Sequence, residues 1–259
     1  MTDDIEQSIS DSLEADKKLL GYMPFLLQDM WALGCSVEDI VAAVGSLHLA
    51  PESIKILDLG CGKGAVCVRV ASEYQLKAVG VDAMSAFLQD AVHKAEEYHV
   101  SHLCQFVEQD IRKYVSAEHN FDVVVLASLG GILGSVKNTV SKLRTQIRSD
   151  GYMIIDDGYL RGKSTLDRKG YEHYRNHEET VRELTRSGDH LVREINTTDI
   201  SRKINDKYLN LIKKRGVELV DKHPDLKENI RSFIQYQSED CYLINNQIEG
   251  ALWVVQKRE

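Results

Sequence analysis

ILDLGCGKGAV, residues 56–66, decides how this chain is read. An apolar run ends in an acid and is followed by three glycines at every second position, the pattern of a strand that stops and turns sharply into a helix. Glycine suits such a turn because it accepts positive φ and lets a ligand approach the backbone. The loop Gly60-Cys61-Gly62-Lys63-Gly64 is GxGxG, so its third glycine is out of register with the dinucleotide fingerprint GxGxxG. A P-loop would need GxxxxGK followed by Ser or Thr, and Gly64-Ala65-Val66 offers nothing of that kind.

Outward from the loop the pattern alternates. IKILDL (54–59), LKAVGVD (76–82), LCQFVEQD (103–110), FDVVVLAS (121–128) and GYMIIDD (151–157) read as strands. Helical spacing fills residues 64–74, 85–99 and 135–149 between them. Strands of continuous β-branched residues separated by helices imply a parallel sheet covered on both faces. Ligands of such sheets sit outside the carboxyl ends of the strands, which is where Asp58, Asp82, Asp110, Asp156 and Asp157 fall.

Before the loop, an acidic, serine-rich stretch to about Asp16 precedes an apolar, aromatic segment, Lys17–Leu33. SVEDIVAAVGSL (36–47) reads as a helix with Ser36 and Asp39 in capping-box positions, and Pro51 closes this preamble. After the fifth strand come a helical stretch at 177–189 and a sixth strand at 190–196. Two long charged helices, roughly 199–222 and 224–246, break at His223-Pro224, and 250–258 reads as the last strand.

With 259 residues the chain is long enough for one large α/β domain with embellishments, and 43% hydrophobic and 28% charged residues are globular values. The net charge of −8 argues against a grip on a phosphate backbone, so small-molecule partners are favoured over nucleic acid. The cluster Lys213, Lys214, Arg215 reads as a solvated helix face. Five scattered cysteines without a CxxC pair suit free thiols in a reducing cytosol. No basic-then-apolar amino-terminal segment or membrane-spanning apolar run is present, so a soluble, cytoplasmic protein is expected.

Three acids, one before the loop and one after each of the next two strands, suit a ligand with a cationic amino group, a ribose diol without phosphate, and an adenine. S-adenosylmethionine has all three. In LDLGCGKG, VGVDA and EQDI, taken in series, residues 50–160 resemble the class I S-adenosylmethionine-dependent methyltransferases. That resemblance implies a Rossmann-like, seven-stranded, mostly parallel sheet with an antiparallel last strand. It further implies a helical lid over residues 1–50, a methyltransferase domain over 51–259, and a helical insertion at about 199–246 before the last strand.

The resemblance also assigns roles. Backbone at Gly60, Cys61 and Gly62 would approach the methionine part, and Asp58 would hold its amino group. Asp82 would accept from the ribose hydroxyls with Ala83 and Met84 against the adenine. Asp110 would accept from the adenine amine, with Ile111 packed on the ring. Ala127 and Ser128 would border the reactive methyl, and Tyr22 would reach the cofactor carboxylate. Helix N-capping is the competing role for each acid. Cys61 itself reads as a small buried side chain, not a nucleophile.

Methyl transfer needs alignment, exclusion of water and, for some acceptors, removal of a proton. The base-methylating motif of Asn or Asp, Pro, Pro, aromatic is absent after the fourth strand, where Ala127-Ser128-Leu129-Gly130-Gly131 stands. No Pro-Cys nucleophile is present. In IIDDGYLRG (154–162), Asp156 and Asp157 are the candidates for binding a cationic amine or removing its proton. His173 and His177 have zinc-compatible spacing but no supporting Cys or HExxH context, so no metal is expected and both read as surface residues of a polar connector. Trp31 and Phe25 are expected to pack at the sheet edge, and Tyr171, Tyr174 and Tyr236 are candidates to line an acceptor site. The reading is methyl transfer to a small molecule, an amine being the favoured class. Its rivals are a protein or RNA methyltransferase and a non-catalytic S-adenosylmethionine-binding protein.

Overall fold

The computed structural model describes residues 3–49, 54–162, 166, 168 and 170–259, so Pro51 lies outside the described residues. The strands are β1 (Lys55–Leu59), β2 (Lys77–Asp82), β3 (Cys104–Glu108), β4 (Phe121–Ala127), β5 (Ile147–Leu160), β6 (His190–Asn196) and β7 (Ile248–Gln256). They form one sheet in the order β3-β2-β1-β4-β5-β7-β6. β1 to β5 pair in parallel, and β7 runs antiparallel to both β5 and β6. The order reverses between β1 and β4, where an open α/β sheet leaves a crevice.

The helices are α1 (Asp3–Leu13), α2 (Met23–Leu26), α3 (Val37–Gly45), α4 (Ala65–Tyr74), α5 (Ser85–Glu97), α6 (Ile111–Tyr114), α7 (Val136–Arg144), α8 (His177–Leu184), α9 (Thr198–Lys222) and α10 (Lys227–Gln247). The central strand β4 is buried except at its last residue, because alternate side chains enter two different cores. Val124 and Leu126 join Leu57, Met153, Ile155 and Trp253 on one face, whereas Val123 and Val125 join Ile56, Ile154, α3 and α4 on the other. A third core unites Leu19, Met23 and Leu26 with Ile212, Leu219, Ile230 and Phe233 of α9 and α10, so the amino-terminal segment packs on the helices between β6 and β7.

Three local expectations are corrected. The helix expected over 135–149 stops at Arg144, and β5 begins at Ile147. The reason is buried Gln146, whose amide donates to Ala117 O at 3.0 Å while its own carbonyl accepts from Phe121 N, pulling the chain into the sheet beside β4. Ser36 is the N-cap of α3, yet its hydroxyl donates to the Asp39 carboxylate at 2.6 Å instead of serving the helix backbone. Arg215 is not simply solvated: its guanidinium spans Asp29 and Glu218.

Candidate functional site

A cavity of about 800 Å³ lies at the carboxyl ends of β1, β2, β4 and β5, at the upper end of the range for small-molecule sites. Every residue singled out from the sequence as a cofactor contact lines it, Tyr22 excepted, and so do Asp156 and Asp157. Tyr22 instead sets its ring edge-on to His223, with centroids 4.9 Å apart.

The glycine loop takes its shape from positive φ at Gly60 (71°), Gly62 (51°) and Gly64 (72°). Gly60 and Cys61 donate their N–H groups to Val81 O at 2.8 and 3.1 Å, which ties the loop to the end of β2. A Cβ on Gly62 would lie 3.1 Å from the Leu33 side chain, so the loop lies close under the amino-terminal segment. Lys63 fastens that segment from below: its buried ammonium donates to Leu27 O at 3.0 Å and pairs with Asp90 at 3.1 Å. Trp31 Nε1 donates to Lys63 O at 2.9 Å. Trp31 thus lines the cavity as well as packing, and Phe25 packs with the amino-terminal core beneath Lys222 rather than at the sheet edge.

Each of the three acids is differently placed. Asp58 is buried on the α4 side, with Cys67 Sγ donating to it at 3.6 Å, and burial pushes its carboxyl up to about 7. Among the described residues no salt-bridging cation meets it within 4.0 Å. Asp82 accepts from Gly62 N at 2.9 Å and Met84 N at 2.8 Å; burial raises it despite those bonds. Asp110 caps α6 through Arg112 N at 2.9 Å and holds the Arg112 guanidinium with both oxygens. Burial pushes Asp110 up, but the Arg112 hydrogen bonds outweigh it and hold the carboxyl below its usual range. Burial raises the Cys61 thiol well above its ordinary value, with Asp58 and Asp82 adding to the effect, so it is inert as a nucleophile.

Asp156 and Asp157 are adjacent on β5 and therefore point to opposite faces. Asp156 accepts from Ser36 N–H and the Ser128 hydroxyl, and burial, with Asp157 nearby, pushes it up to about 7. Asp157 accepts the Tyr174 hydroxyl and lies 3.3 Å from His173 Nε2. The expectation that His173 and His177 are both surface residues is corrected for His173. His177 begins α8 and pairs with Glu194 at 2.8 Å, whereas His173 precedes the helix and is buried in the cavity wall. Among the described residues no group of three or more His, Cys, Asp or Glu is placed to hold a metal ion.

Beyond His173 the cavity is lined by Tyr171, Tyr174, Tyr208, Gln237, Asp240 and Glu14. Tyr171 donates its hydroxyl to Asp240, which Arg168 approaches at 3.3 Å. Gln237 donates to Glu14 at 3.2 Å and accepts from Tyr208 at 2.9 Å. Burial, reinforced by Asp240, pushes the Glu14 carboxyl up to about 7. Tyr236 is outside this lining, its ring covered by the Arg168 guanidinium at 4.1 Å. Glu14, Tyr208, Gln237 and Asp240 were not singled out from the sequence, where each is one polar residue among many on charged helices.

A protein from Escherichia coli, YjhP, uncharacterised in function, is 29% identical over 124 residues, 48% of this chain and 50% of its own length. YqeM from Bacillus subtilis is 34% identical over 110 residues, 41% of this chain and 43% of that protein. The chain thus matches about half the length of these curated relatives. A crystal structure of a SAM-dependent methyltransferase from Geobacter sulfurreducens, in complex with S-adenosyl-L-homocysteine, superposes with a TM-score of 0.76 at 19% identity, covering 91% of this chain and 97% of that one. The crystal structure of YjhP gives 0.74 at 17% identity over 91% and 100%. Those two superpositions establish the shared fold. The profile of the family described as a methyltransferase domain matches residues 51–248, and the chain belongs to that family.

Proposed function

We propose that this chain transfers a methyl group from S-adenosylmethionine to a small acceptor bearing an amine. The observation that carries this reading is that the glycine loop, Asp58, Asp82 and Asp110 share one cavity with a second end lined by tyrosines and carboxylates. When bound, the cofactor supplies an activated methyl on a sulfonium. Gly60, Cys61 and Gly62 present backbone to its methionine part, and Asp58, a buried carboxyl with no salt-bridging cation among the described residues, accepts its ammonium. Asp82 keeps lone pairs beyond its two backbone bonds for a ribose diol. Asp110, Ile111 and Ala83 border the adenine, and Ala127 the methyl. Ile111 and Asp110 sit side by side at the start of α6, as an adenine edge and face require. Residues 1–50 act as the lid, and 51–259 form the catalytic domain.

The acceptor end supports an amine for electrostatic reasons. Asp157, Asp240 and Glu14 line it, the raised Glu14 and Asp240 carboxyls would ionise against an amine's positive charge, and tyrosine faces attract cations. Asp156 pairs with Ala127 across the sheet and accepts from the Ser128 hydroxyl, and Asp157 follows it on the other face of β5. Free cysteines at all five positions fit a cytoplasmic setting. Calorimetric titration with S-adenosylmethionine, S-adenosylhomocysteine and NAD tests the cofactor half. We expect binding of the first two only; binding of NAD alone would refute the reading.

Asp58 makes that titration pH-dependent. A carboxyl raised to about 7 is mostly protonated at pH 6, and the ligand's ammonium favours its ionised form. Affinity for S-adenosylhomocysteine is expected to rise roughly five- to tenfold from pH 6 to 7.5 and then level off. Asp58→Asn should flatten that slope; an unchanged slope would remove Asp58 from the ammonium site.

Stability has the opposite sign. Asp58 and Asp156 have folded-state values raised above the unfolded ones, so their contribution is present below about pH 4 and lost as pH rises through about 7. Asp156→Asn should therefore gain melting temperature relative to the parent at pH 8 compared with pH 5, in ligand-free protein. A constant difference across that range would contradict the burial argument.

A further inference from the structure

Asp110 is placed to meet an adenine by its position at the end of β3, but not by its hydrogen bonds. Gln109 N donates to Asp82 O at 2.9 Å, so the turn into α6 lies directly beside the end of β2 where the ribose is proposed to sit. Asp110, Ile111 and Arg112 all line the cavity there, together with Ala83 and Met84 from beyond β2.

An ionised carboxylate has about four acceptor sites, two on each oxygen. Asp110 Oδ1 accepts from Arg112 N at 2.9 Å and from Arg112 Nε at 3.1 Å. Oδ2 accepts from the same Nε at 3.1 Å and from Nη2 at 2.7 Å. All four sites are thus directed at one residue, and the Asp110 side chain is only 4% exposed. An exocyclic amine arriving from the cavity would have to displace part of a two-point ion pair, among the strongest hydrogen-bonded pairs a carboxylate makes.

Arg112 has the opposite exposure. Its side chain is 44% exposed, and the residue lines the cavity. Its backbone N–H, Nε and Nη2 all bind the one carboxylate two residues back, so residues 110–112 close into a compact unit and the guanidinium plane is fixed. A delocalised, planar cation is weakly hydrated on its faces and stacks well on aromatic rings. Every nucleobase offers such a face, whatever its edge carries.

We propose that Arg112 packs its guanidinium plane on the adenine of the cofactor, and that Asp110 is a positioning residue acting through Arg112. This rests on the S-adenosylmethionine reading above. It replaces a hydrogen bond from the exocyclic amine to Asp110, the role expected of that acid from the sequence. The base is then recognised by its face, with buried Ile111 adding apolar contact, and the amine adds little.

The test uses the full chain, S-adenosylhomocysteine, and the analogue of it in which hydrogen replaces the adenine amine. In calorimetry the parent is expected to bind the two within about threefold of one another, whereas a lost hydrogen bond to a carboxylate would cost about tenfold or more. Arg112→Ala should weaken S-adenosylhomocysteine about 5- to 30-fold. Arg112→Lys should keep most of that loss, because an ammonium retains the charge without the plane. Asp110→Asn should also weaken binding, and the double variant should lose no more than Arg112→Ala alone, as two residues acting in series require.

In 15N-arginine spectra, the Nε–H signal absent from Arg112→Lys should move upfield when S-adenosylhomocysteine is added, as the ring current over a purine face requires. That readout stands if the alanine variant melts early. Four outcomes each overturn the assignment while leaving cofactor binding intact: an amine-free analogue bound more than about threefold more weakly by the parent, an Arg112→Ala loss below about fivefold, additive losses in the double variant, or a signal that does not move upfield. A parent that binds neither S-adenosylmethionine nor S-adenosylhomocysteine overturns the cofactor reading, and this inference with it.

Discussion

Asp82→Ala is expected to weaken S-adenosylmethionine and S-adenosylhomocysteine binding by two to three orders of magnitude in calorimetry, while the protein still melts cooperatively. Asp82 ends β2 and makes two kinds of contribution. Its oxygens accept from Gly62 N and Met84 N at 2.9 and 2.8 Å, which hold the glycine loop and the start of α5 in place. Its remaining lone pairs are directed to the ribose diol in the proposed complex. Hydrogen bonds to a charged group contribute about 1.5–3 kcal/mol each, and two lost together at the lower part of that range, about 3–4 kcal/mol, correspond to roughly 10²- to 10³-fold in affinity. Asp82→Asn keeps an acceptor but loses the charge, so its loss should be intermediate. A loss below fivefold for the alanine variant would mean that the ribose is held elsewhere.

Gly64→Ala should lower the melting temperature by roughly 6–12 °C. Gly64 is the N-cap of α4 at φ 72°, ψ 19°, a left-handed conformation that costs an L side chain about 1–2 kcal/mol. The added Cβ would lie 2.7 Å from Ala91 Cβ and 3.0 Å from the Phe106 ring. Neither neighbour is the end of a flexible side chain, so overpacking adds about 1–3 kcal/mol. The sum, about 3 kcal/mol, converts at roughly 2–4 °C per kcal/mol for a chain of this size. Gly162→Ala is the matched control: its φ is 61°, but among the described residues nothing lies within 4 Å of the new Cβ. That variant should show the conformational cost alone. If both variants melt alike, packing against α5 and β3 contributes little at Gly64.

The sheet was readable because its information is local. Seven stretches of β-branched residues were each long enough to form a strand, and their acids fell where strands end. The GxGxG spacing marked a turn that exploits glycine's tolerance of positive φ, and Gly60, Gly62 and Gly64 all adopt it. The misreadings share one cause. Residues 145–149 carry helical spacing, yet Gln146 finds its partners at Val115 and Ala117, about thirty residues away, and the chain leaves the helix to meet them. Tyr22 was placed by its aromatic type, and its actual neighbour, His223, comes from the far end of α9.

The sequence by itself determined the parallel sheet, the glycine turn and the acids at the strand ends, because near-neighbour sterics and side-chain periodicity are written within a few residues; the antiparallel last strand followed from the resemblance to class I methyltransferases. Only the tertiary structure decided which polar residues face one another across the cavity. Glu14 meets Gln237 there, Asp157 meets His173, and His173 is seated on Gly130 and Gly131. Burial depends on what the rest of the chain packs on a residue. A histidine that reads as a surface residue by its polar neighbours becomes an enclosed imidazole when a glycine pair leaves room for it.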